Sequence, residues 1–409
     1  MDHKRRKYIY LSNKDFDGTV FQTQVLDWLH LFELHNLEFN LIQAFHIKDL
    51  RRPANIKFQL NGIRSKTKLF TGHIYLLPSK NFYYIFNTIV IFFKIFKYFF
   101  KYQEILIFSR ALIGKEISFL RKISPAKIIF YFDARAASAE ENKYMAIKNK
   151  SHSINKYKTI AQIYYLEYKT LELADKVFVV SGTLRKYFQE TYNTNDQKFI
   201  LYPCLADANK FCSSSDLRRE VRSKLQITKQ TKVFIYSGGI NSEWHISEKM
   251  FSFFNQLLRN KNDVLLLCLT KDETGLEKTL AAFPEIKPKI LSFSVPNEEV
   301  CKYLNAADYG LLFRENTIMN NVASPTKYAE YILCGLPVLI SEGVGDYSNY
   351  TLDNDLGFVI KEKEMKNPEQ FDFKEVILKE FDREYIAEIG KKFFSKDSII
   401  SNLITVFKT

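Results

Sequence analysis

The stretch LLFRENTIMNNVASPTKYAEYILCGLPVLIS (Leu311–Ser341) reads as strand, loop, helix, tight turn and strand. Ser324 is placed to cap a helix running through Pro325–Cys334, and Pro325 has the φ angle wanted at a first helical position. Gly335 ends that helix, and Pro337 blocks its continuation into a strand at Val338–Ile340. The free amides of such a helix start, flanked by Thr326 and Lys327, form an anion site suited to a diphosphate. Arg314, closing the preceding strand, adds a second positive charge. Glu330 falls roughly one and a half turns into the helix, where a carboxylate can accept hydrogen bonds from a ribose diol. The competing reading is a capped core helix whose Lys and Glu are merely solvated.

The same alternation extends in both directions. Upstream of Pro203, short apolar runs expected as strands (Tyr8–Leu11, Glu38–Phe45, His73–Leu77, Ile105–Ser109, Lys127–Phe132, Lys176–Ser181 and Phe199–Tyr202) are separated by stretches of helical length. These include Phe21–His35, Asn81–Lys101, Ala111–Lys122 and Glu140–Leu173. After the polar stretch Ala206–Asp216 the pattern restarts, with strands expected at Val233–Ser237, Val264–Leu269, Lys289–Phe293, Tyr309–Phe313, Val338–Ile340 and Phe358–Ile360. Helices are expected at Ser247–Arg259 and Asn297–Ala306, and two more in the final 30 residues. The fold class is therefore α/β, with two Rossmann-like domains. Open sheets of this kind bind ligands beyond the carboxyl ends of their strands, so facing sheets would place the site in a cleft.

Length and composition agree with this division. The chain has 409 residues, 46% of them hydrophobic, with 14 Gly and 10 Pro, which excludes disordered and fibrous classes. It carries 59 basic and 46 acidic side chains, a formal +13. The excess is local: residues 51–130 hold 15 basic and 2 acidic side chains, a surplus of 13, whereas residues 201–409 hold 27 and 29. An anionic partner is expected for the first half, either nucleic acid or a membrane surface. Five dispersed cysteines (Cys204, Cys212, Cys268, Cys301, Cys334) show no zinc spacing and fit buried thiols in a reducing compartment. No signal peptide is read at the start.

The run Ser324–Pro325–Thr326–Lys327, then Glu330–Tyr331, then Gly335–Leu336–Pro337–Val338 resembles the donor-site helix of glycosyltransferase family 4, in particular its bacterial surface-polysaccharide members. In that family two glutamates flank seven residues here; Glu330 matches the second, but the first position is Val322. Four further segments line up in order. FDARAASAEE (Phe132–Glu141) resembles the Asp-x-Arg-Gly stretch, with Ala136 in place of Gly. VFVVSGTLRKYF (Val177–Phe188) resembles the strand and helix preceding the domain crossover. YSGGINSEW (Tyr236–Trp244) sits where the family's first C-terminal strand opens onto the phosphates through Gly238 and Gly239; the usual Arg and Lys are missing there, and Arg314 with Lys327 are the substitutes. VPNEEVCKYLNAADYGLLFR (Val295–Arg314) leads to the donor loop.

The resemblance implies a GT-B fold with an acceptor- and membrane-facing domain at 1–205, a nucleotide-sugar domain at 206–381 and C-terminal helices at 382–409 returning to the first domain. It implies a retaining transferase that moves a sugar from a nucleotide-diphosphate sugar to a polyprenyl-diphosphate-linked glycan. No cofactor or metal is implied, since helix amides, Arg314 and Lys327 can meet the charge on the departing diphosphate. On the acceptor side, Asp133 and Arg135 are the candidate catalytic residues, with an internal ion pair as the alternative. Arg110 is either a phosphate holder or a surface charge. Asp15–Phe16–Asp17 gives a DxD pattern, read as an acceptor loop in which Asp17 and Gly18 come close to substrate rather than as a metal site.

Membrane contact is expected at FYYIFNTIVIFFKIFKYFFKY (Phe82–Tyr102), too short in its uncharged part to span a bilayer. Its Lys94, Lys97 and Lys101 recur at three- and four-residue steps beside aromatics, as in interfacial helices; a buried helix with snorkelling lysines is the alternative. The expected location is cytoplasmic, peripheral on the inner face of the cell membrane. Two other functions compete: a nucleotide-sugar epimerase on the same fold, which needs an imidazole that the seven histidines do not clearly offer, and a basic nucleic-acid-binding protein, for which no recognition motif is present.

Overall fold

In a computed structural model of the chain, the described residues are 6–13, 15–16, 19–78, 83–148, 154–240, 247–260 and 263–409. Two compact units result, Met1–Pro203 with Leu403–Thr409, and Cys204–Asn402.

The first unit is a seven-stranded parallel sheet of β1 (Arg6–Ser12), β2 (Phe39–His46), β3 (Phe70–Leu76), β4 (Glu104–Ser109), β5 (Lys127–Ala134), β6 (Lys176–Val179) and β7 (Phe199–Leu201), ordered β3-β2-β1-β4-β5-β6-β7. The central strands β4 and β5 are buried almost throughout, as strands covered on both faces must be. Phe39, Phe108, Phe178 and Phe407 pack as one ring cluster, and burying such rings contributes on the order of 2–3 kcal/mol each. The second unit is a six-stranded parallel sheet of β8 (Lys232–Ser237), β9 (Val264–Leu269), β10 (Ile290–Phe293), β11 (Tyr309–Leu312), β12 (Val338–Ser341) and β13 (Gly357–Ile360), ordered β10-β9-β8-β11-β12-β13. Both sheets are Rossmann-like, and together they give the GT-B fold class.

Three expectations need correction. A helix at Pro53–Lys66 fills a stretch for which no helix is expected above. In the structure Gly62 faces Phe16, and a Cβ there would lie 2.3 Å from that ring. The stretch Glu140–Leu173 holds two helices, Ser138–Lys148 and Ile154–Leu173.

The C-terminal segment also divides differently. Residues 382–402 belong to the second unit: Arg383 donates to Ala307 O (2.8 Å) and Cys334 O (3.2 Å), and Phe394 packs on Tyr328 and Tyr347. Only Leu403–Thr409 join the first unit, where Phe407 fills the ring cluster and Arg6 donates to Phe407 O at 2.8 Å.

Candidate functional site

The second unit holds the charged constellation around the donor helix. That helix spans Thr326–Leu333. Its inner face is fixed by Tyr328, stacked on Tyr347 at 4.3 Å, and by Tyr331. The Tyr331 ring covers Gly310, where a Cβ would come within 2.4 Å, and its hydroxyl accepts the Ser237 amide proton at 3.2 Å. Gly335 (φ +64) terminates the helix; a Cβ there would meet Arg383 O at 2.3 Å. Lys327 and Glu330, three residues apart, share the other face.

At the helix start the sequence reading is corrected. Pro325 occupies the cap position and Thr326 opens the helix, with no side-chain cap. Ser324 is not the cap because its hydroxyl is already used: it accepts from the Cys204 amide (2.9 Å) and pairs with the Tyr347 hydroxyl (2.7 Å). Ser324 therefore anchors the loop that delivers the helix.

Lys327 turns its ammonium over the Tyr236 ring, 4.5 Å from the centroid, a cation–π contact in a desolvated setting. Its Nζ is buried without a hydrogen-bond partner among the described residues. Burial, and then the nearby Arg314 charge, push its pKa down to about 7. Gly238, at φ +138, makes room for it: a Cβ would stand 2.8 Å from Nζ. Gly239 accepts the Tyr236 hydroxyl proton through its carbonyl at 2.6 Å, while 241–246 lie outside the described residues. Arg314 is held through its backbone by Ser341 Oγ and donates to Asn320 Oδ1 at 3.3 Å. Its buried Nε has no hydrogen-bond partner among the described residues, and burial brings its pKa down to about 10. Glu330 is pushed up to about 7 by burial, against the pull of Lys327 and Lys396.

Two neighbouring buried cations, each with an N–H that finds no acceptor among the described residues, are unfavourable by themselves. A bound polyanion would supply both the missing acceptors and the missing charge. Tyr236, Asn320 and Lys396 were not singled out by sequence reasoning. Tyr236 lies two residues before the Gly pair and so had a local signal; the other two had none.

The acceptor-side candidates lie in the first unit and form a closed network. Asp133 Oδ2 accepts from Tyr10 OH (2.6 Å) and Arg110 Nε (3.0 Å), and Oδ1 faces Arg135 Nε at 2.6 Å. Arg110 also donates to Gln24 Oε1, and Arg135 stacks on Tyr202 at 4.2 Å. The Asp133 side chain is fully buried. Burial disfavours its charge, but Arg135 and Arg110 outweigh that and hold it below the ordinary carboxylate range. Asp133 is thus a buried carboxylate whose Oδ2 accepts two hydrogen bonds and whose Oδ1 is ion-paired with Arg135, the arrangement of the internal ion pair rather than of an exposed base, and Arg110, its side chain 6% exposed, is engaged by Asp133 and Gln24 rather than lying free at the surface. Asp17 and Gly18 lie outside the described residues. Asp15 accepts from Gln59 at 3.3 Å.

The lysine row is also corrected. The helix at Tyr83–Ile95 gives way to a 3-10 turn at Phe96–Tyr98, so Lys94, Lys97 and Lys101 do not line one helical face. Lys94 reaches back to Thr71 O (3.3 Å) over Gly72 of edge strand β3, Lys97 lies on the Tyr98 ring, and Lys101 is exposed. The outward face is apolar instead: Phe86, Ile89, Phe93, Phe96 and Phe100 are exposed, Phe93 by 70% and Phe100 by 77%. No helix among the described residues is long and apolar enough to cross a membrane.

Neither a known family model nor a curated protein matches the chain. Solved structures do. A crystal structure of Anabaena HepE in complex with UDP superposes with TM-score 0.64 at 10% identity, covering 98% of this chain and 99% of that one. A glycosyltransferase from Rickettsia africae ESF-5 gives 0.61 at 14%, covering 98% of each chain. WaaG, a glycosyltransferase involved in lipopolysaccharide biosynthesis, gives 0.62 at 14%, covering 97% and 99%. At such identities the likeness establishes the fold.

The charge states of Lys327 and Glu330 set a pH dependence. In the empty site Lys327 loses its charge as pH rises through about 7, and Glu330 loses its charge as pH falls through the same value. Affinity for a diphosphate-bearing ligand, whose diphosphate does not itself titrate there, should peak near neutrality and fall by up to about tenfold per pH unit on either side. Titration calorimetry with UDP-glucose checks this. Lys327→Arg should remove the alkaline limb and leave the acid one.

Proposed function

We propose that the protein is a glycosyltransferase that moves a sugar from a nucleotide-diphosphate sugar to a membrane-borne acceptor. The observation that carries this reading is the pair of buried, unpartnered cationic groups, Lys327 Nζ and Arg314 Nε, beside a helix start and a left-handed glycine. In this reading the diphosphate lies between Lys327, Arg314 and the first amides of the Thr326–Leu333 helix. Glu330 accepts from the ribose. As the glycosidic bond breaks, negative charge grows on the leaving diphosphate, and donors already in place stabilise it; no metal ion is assigned to that task. HepE has been solved in complex with UDP, with UDP and glucose, and with UDP-glucose, which supports a nucleotide-sugar as donor here.

The finer points rest on sequence resemblance to family 4: retention of anomeric configuration, a polyprenyl-diphosphate-linked glycan as acceptor, and a place in surface polysaccharide synthesis. The location proposed is peripheral, on the cytoplasmic face of an anionic membrane. The exposed Phe86–Phe100 stripe supports this, together with the exposed Arg51, Arg52, Lys57, Arg64, Lys66 and Lys68, since apolar insertion and lipid charge act together.

A thermal-shift panel of UDP, GDP, ADP and CMP identifies the base. Radiolabelled transfer from the matching nucleotide-sugar to a polyprenyl-diphosphate glycan in vesicles then tests the reaction. Epimerised sugar formed without acceptor would sink the transferase reading. Replacing Phe93 and Phe100 together by Ser should lower partition onto vesicles containing phosphatidylglycerol by roughly tenfold or more; unchanged co-sedimentation would move the membrane contact elsewhere.

A further inference from the structure

Three of the five cysteines, which the sequence scatters across the chain, meet at the far end of the donor helix. Cys334 follows its last residue, Cys301 lies in the helix Val300–Ala306, and Cys212 is in the loop before the helix Ser215–Lys224. The Cys301 and Cys334 sulfurs are 3.8 Å apart, and the Cys301 thiol also approaches Cys212 O at 3.6 Å. Asn305 donates to Cys301 Sγ at 3.5 Å and to Cys212 O at 2.9 Å. Cys301 and Cys334 are buried and Cys212 is half-buried.

We infer that Cys301 and Cys334 form a peroxide-sensitive dithiol that closes to a disulfide and tethers the C-terminal end of the donor helix to the helix Val300–Ala306. The two sulfurs already stand at van der Waals separation, so a bond between them requires closing that gap to about 2 Å.

The two thiols are chemically unequal, as attacking and resolving groups should be. The hydrogen bond from Cys334 lowers the Cys301 pKa to about 6 in spite of burial, with help from Cys212 and Asn305. Burial raises that of Cys334 well above the ordinary thiol value. In the first step the Cys301 thiolate attacks one oxygen of hydrogen peroxide, the O–O bond breaks, and the hydroxide released takes up a proton as water. Cys301 is then a sulfenic acid. In the second, the Cys334 sulfur attacks the Cys301 sulfur, the S–O bond breaks, and the departing hydroxide leaves as water with the Cys334 proton. Two thiols and one peroxide give one disulfide and two waters. This chemistry does not depend on sugar transfer.

The test is peptide mapping by mass spectrometry under non-reducing conditions, after treating the full chain with hydrogen peroxide and blocking residual thiols. The expected product joins the Cys301 and Cys334 peptides and is two hydrogens lighter than their sum, while Cys268, buried on β9 and pushed up to about 12, stays unmodified. Cys334→Ala should leave Cys301 as a sulfenic acid trapped by dimedone. A cross-link through Cys212 instead, or oxidation without any cross-link in a chain that retains its circular dichroism, would overturn the assignment, as would failure of dimedone to label Cys301 in a folded Cys334→Ala variant.

Discussion

Lys327→Ala should weaken nucleotide-diphosphate binding by roughly 30- to 150-fold while leaving the unliganded protein as stable as before, or slightly more so. Losing a charge-assisted hydrogen bond to the diphosphate costs about 2–3 kcal/mol. In the unliganded protein the ammonium has no hydrogen-bond partner among the described residues and feels the Arg314 charge, so its removal relieves a buried like-charge contact. The combination is what distinguishes a ligand-binding lysine from a structural one. Calorimetric titration reads the first effect and thermal unfolding the second. Unchanged affinity would refute the site, and a large drop in melting temperature would show that Lys327 supports the fold instead. Glu330→Gln should act more weakly, since the amide keeps one acceptor for a ribose hydroxyl.

Asp133→Asn should destabilise the first unit by about 3–5 kcal/mol, because it leaves the Arg110 and Arg135 guanidiniums buried without their counter-charge. For a unit of this size that is a fall of about 6–20 °C in its unfolding transition. Tyr10→Phe, which removes one hydrogen bond to the same carboxylate, should cost only about 1 kcal/mol. Differential scanning calorimetry of both variants settles the role of the cluster. A change below about 1 kcal/mol in Asp133→Asn, together with loss of transfer activity, would return Asp133 to chemistry. The folded carboxylate also titrates below its unfolded counterpart. Its contribution is therefore full above the unfolded pKa and is lost as pH falls through the folded one, which gives the first unit an acid-sensitive side.

The strands were readable from the sequence because their signal is local. Apolar runs such as Ile105–Ser109 or Val264–Leu269 are buried on both faces and need no knowledge of the neighbouring strand. The donor helix was readable for the same reason: Pro325, Gly335 and Pro337 act on the backbone within a few residues of themselves. The helix Pro53–Lys66 went unread, and its Gly62 packs against Phe16, a contact that no local cue reports. The lysine row failed similarly, since a regular helix was assumed beyond Ile95.

What the sequence determined by itself was the pair of Rossmann-like sheets, the position of the helix Thr326–Leu333 and the identity of its Lys327 and Glu330. The tertiary structure alone decided which charges are available. Asp133 and Arg135 are neighbours in sequence, but Tyr10 comes from 123 residues away and Arg110 from 23, and those two partners give an apparent catalytic carboxylate the arrangement of an internal ion pair. Among the described residues Lys327 is left without a hydrogen-bond partner by the same logic, because Tyr236 and Gly238 offer it a ring and a space but no acceptor. Backbone conformation follows from short-range sterics, whereas the state of a buried charge depends on every group packed against it, and most of those groups are distant in the chain.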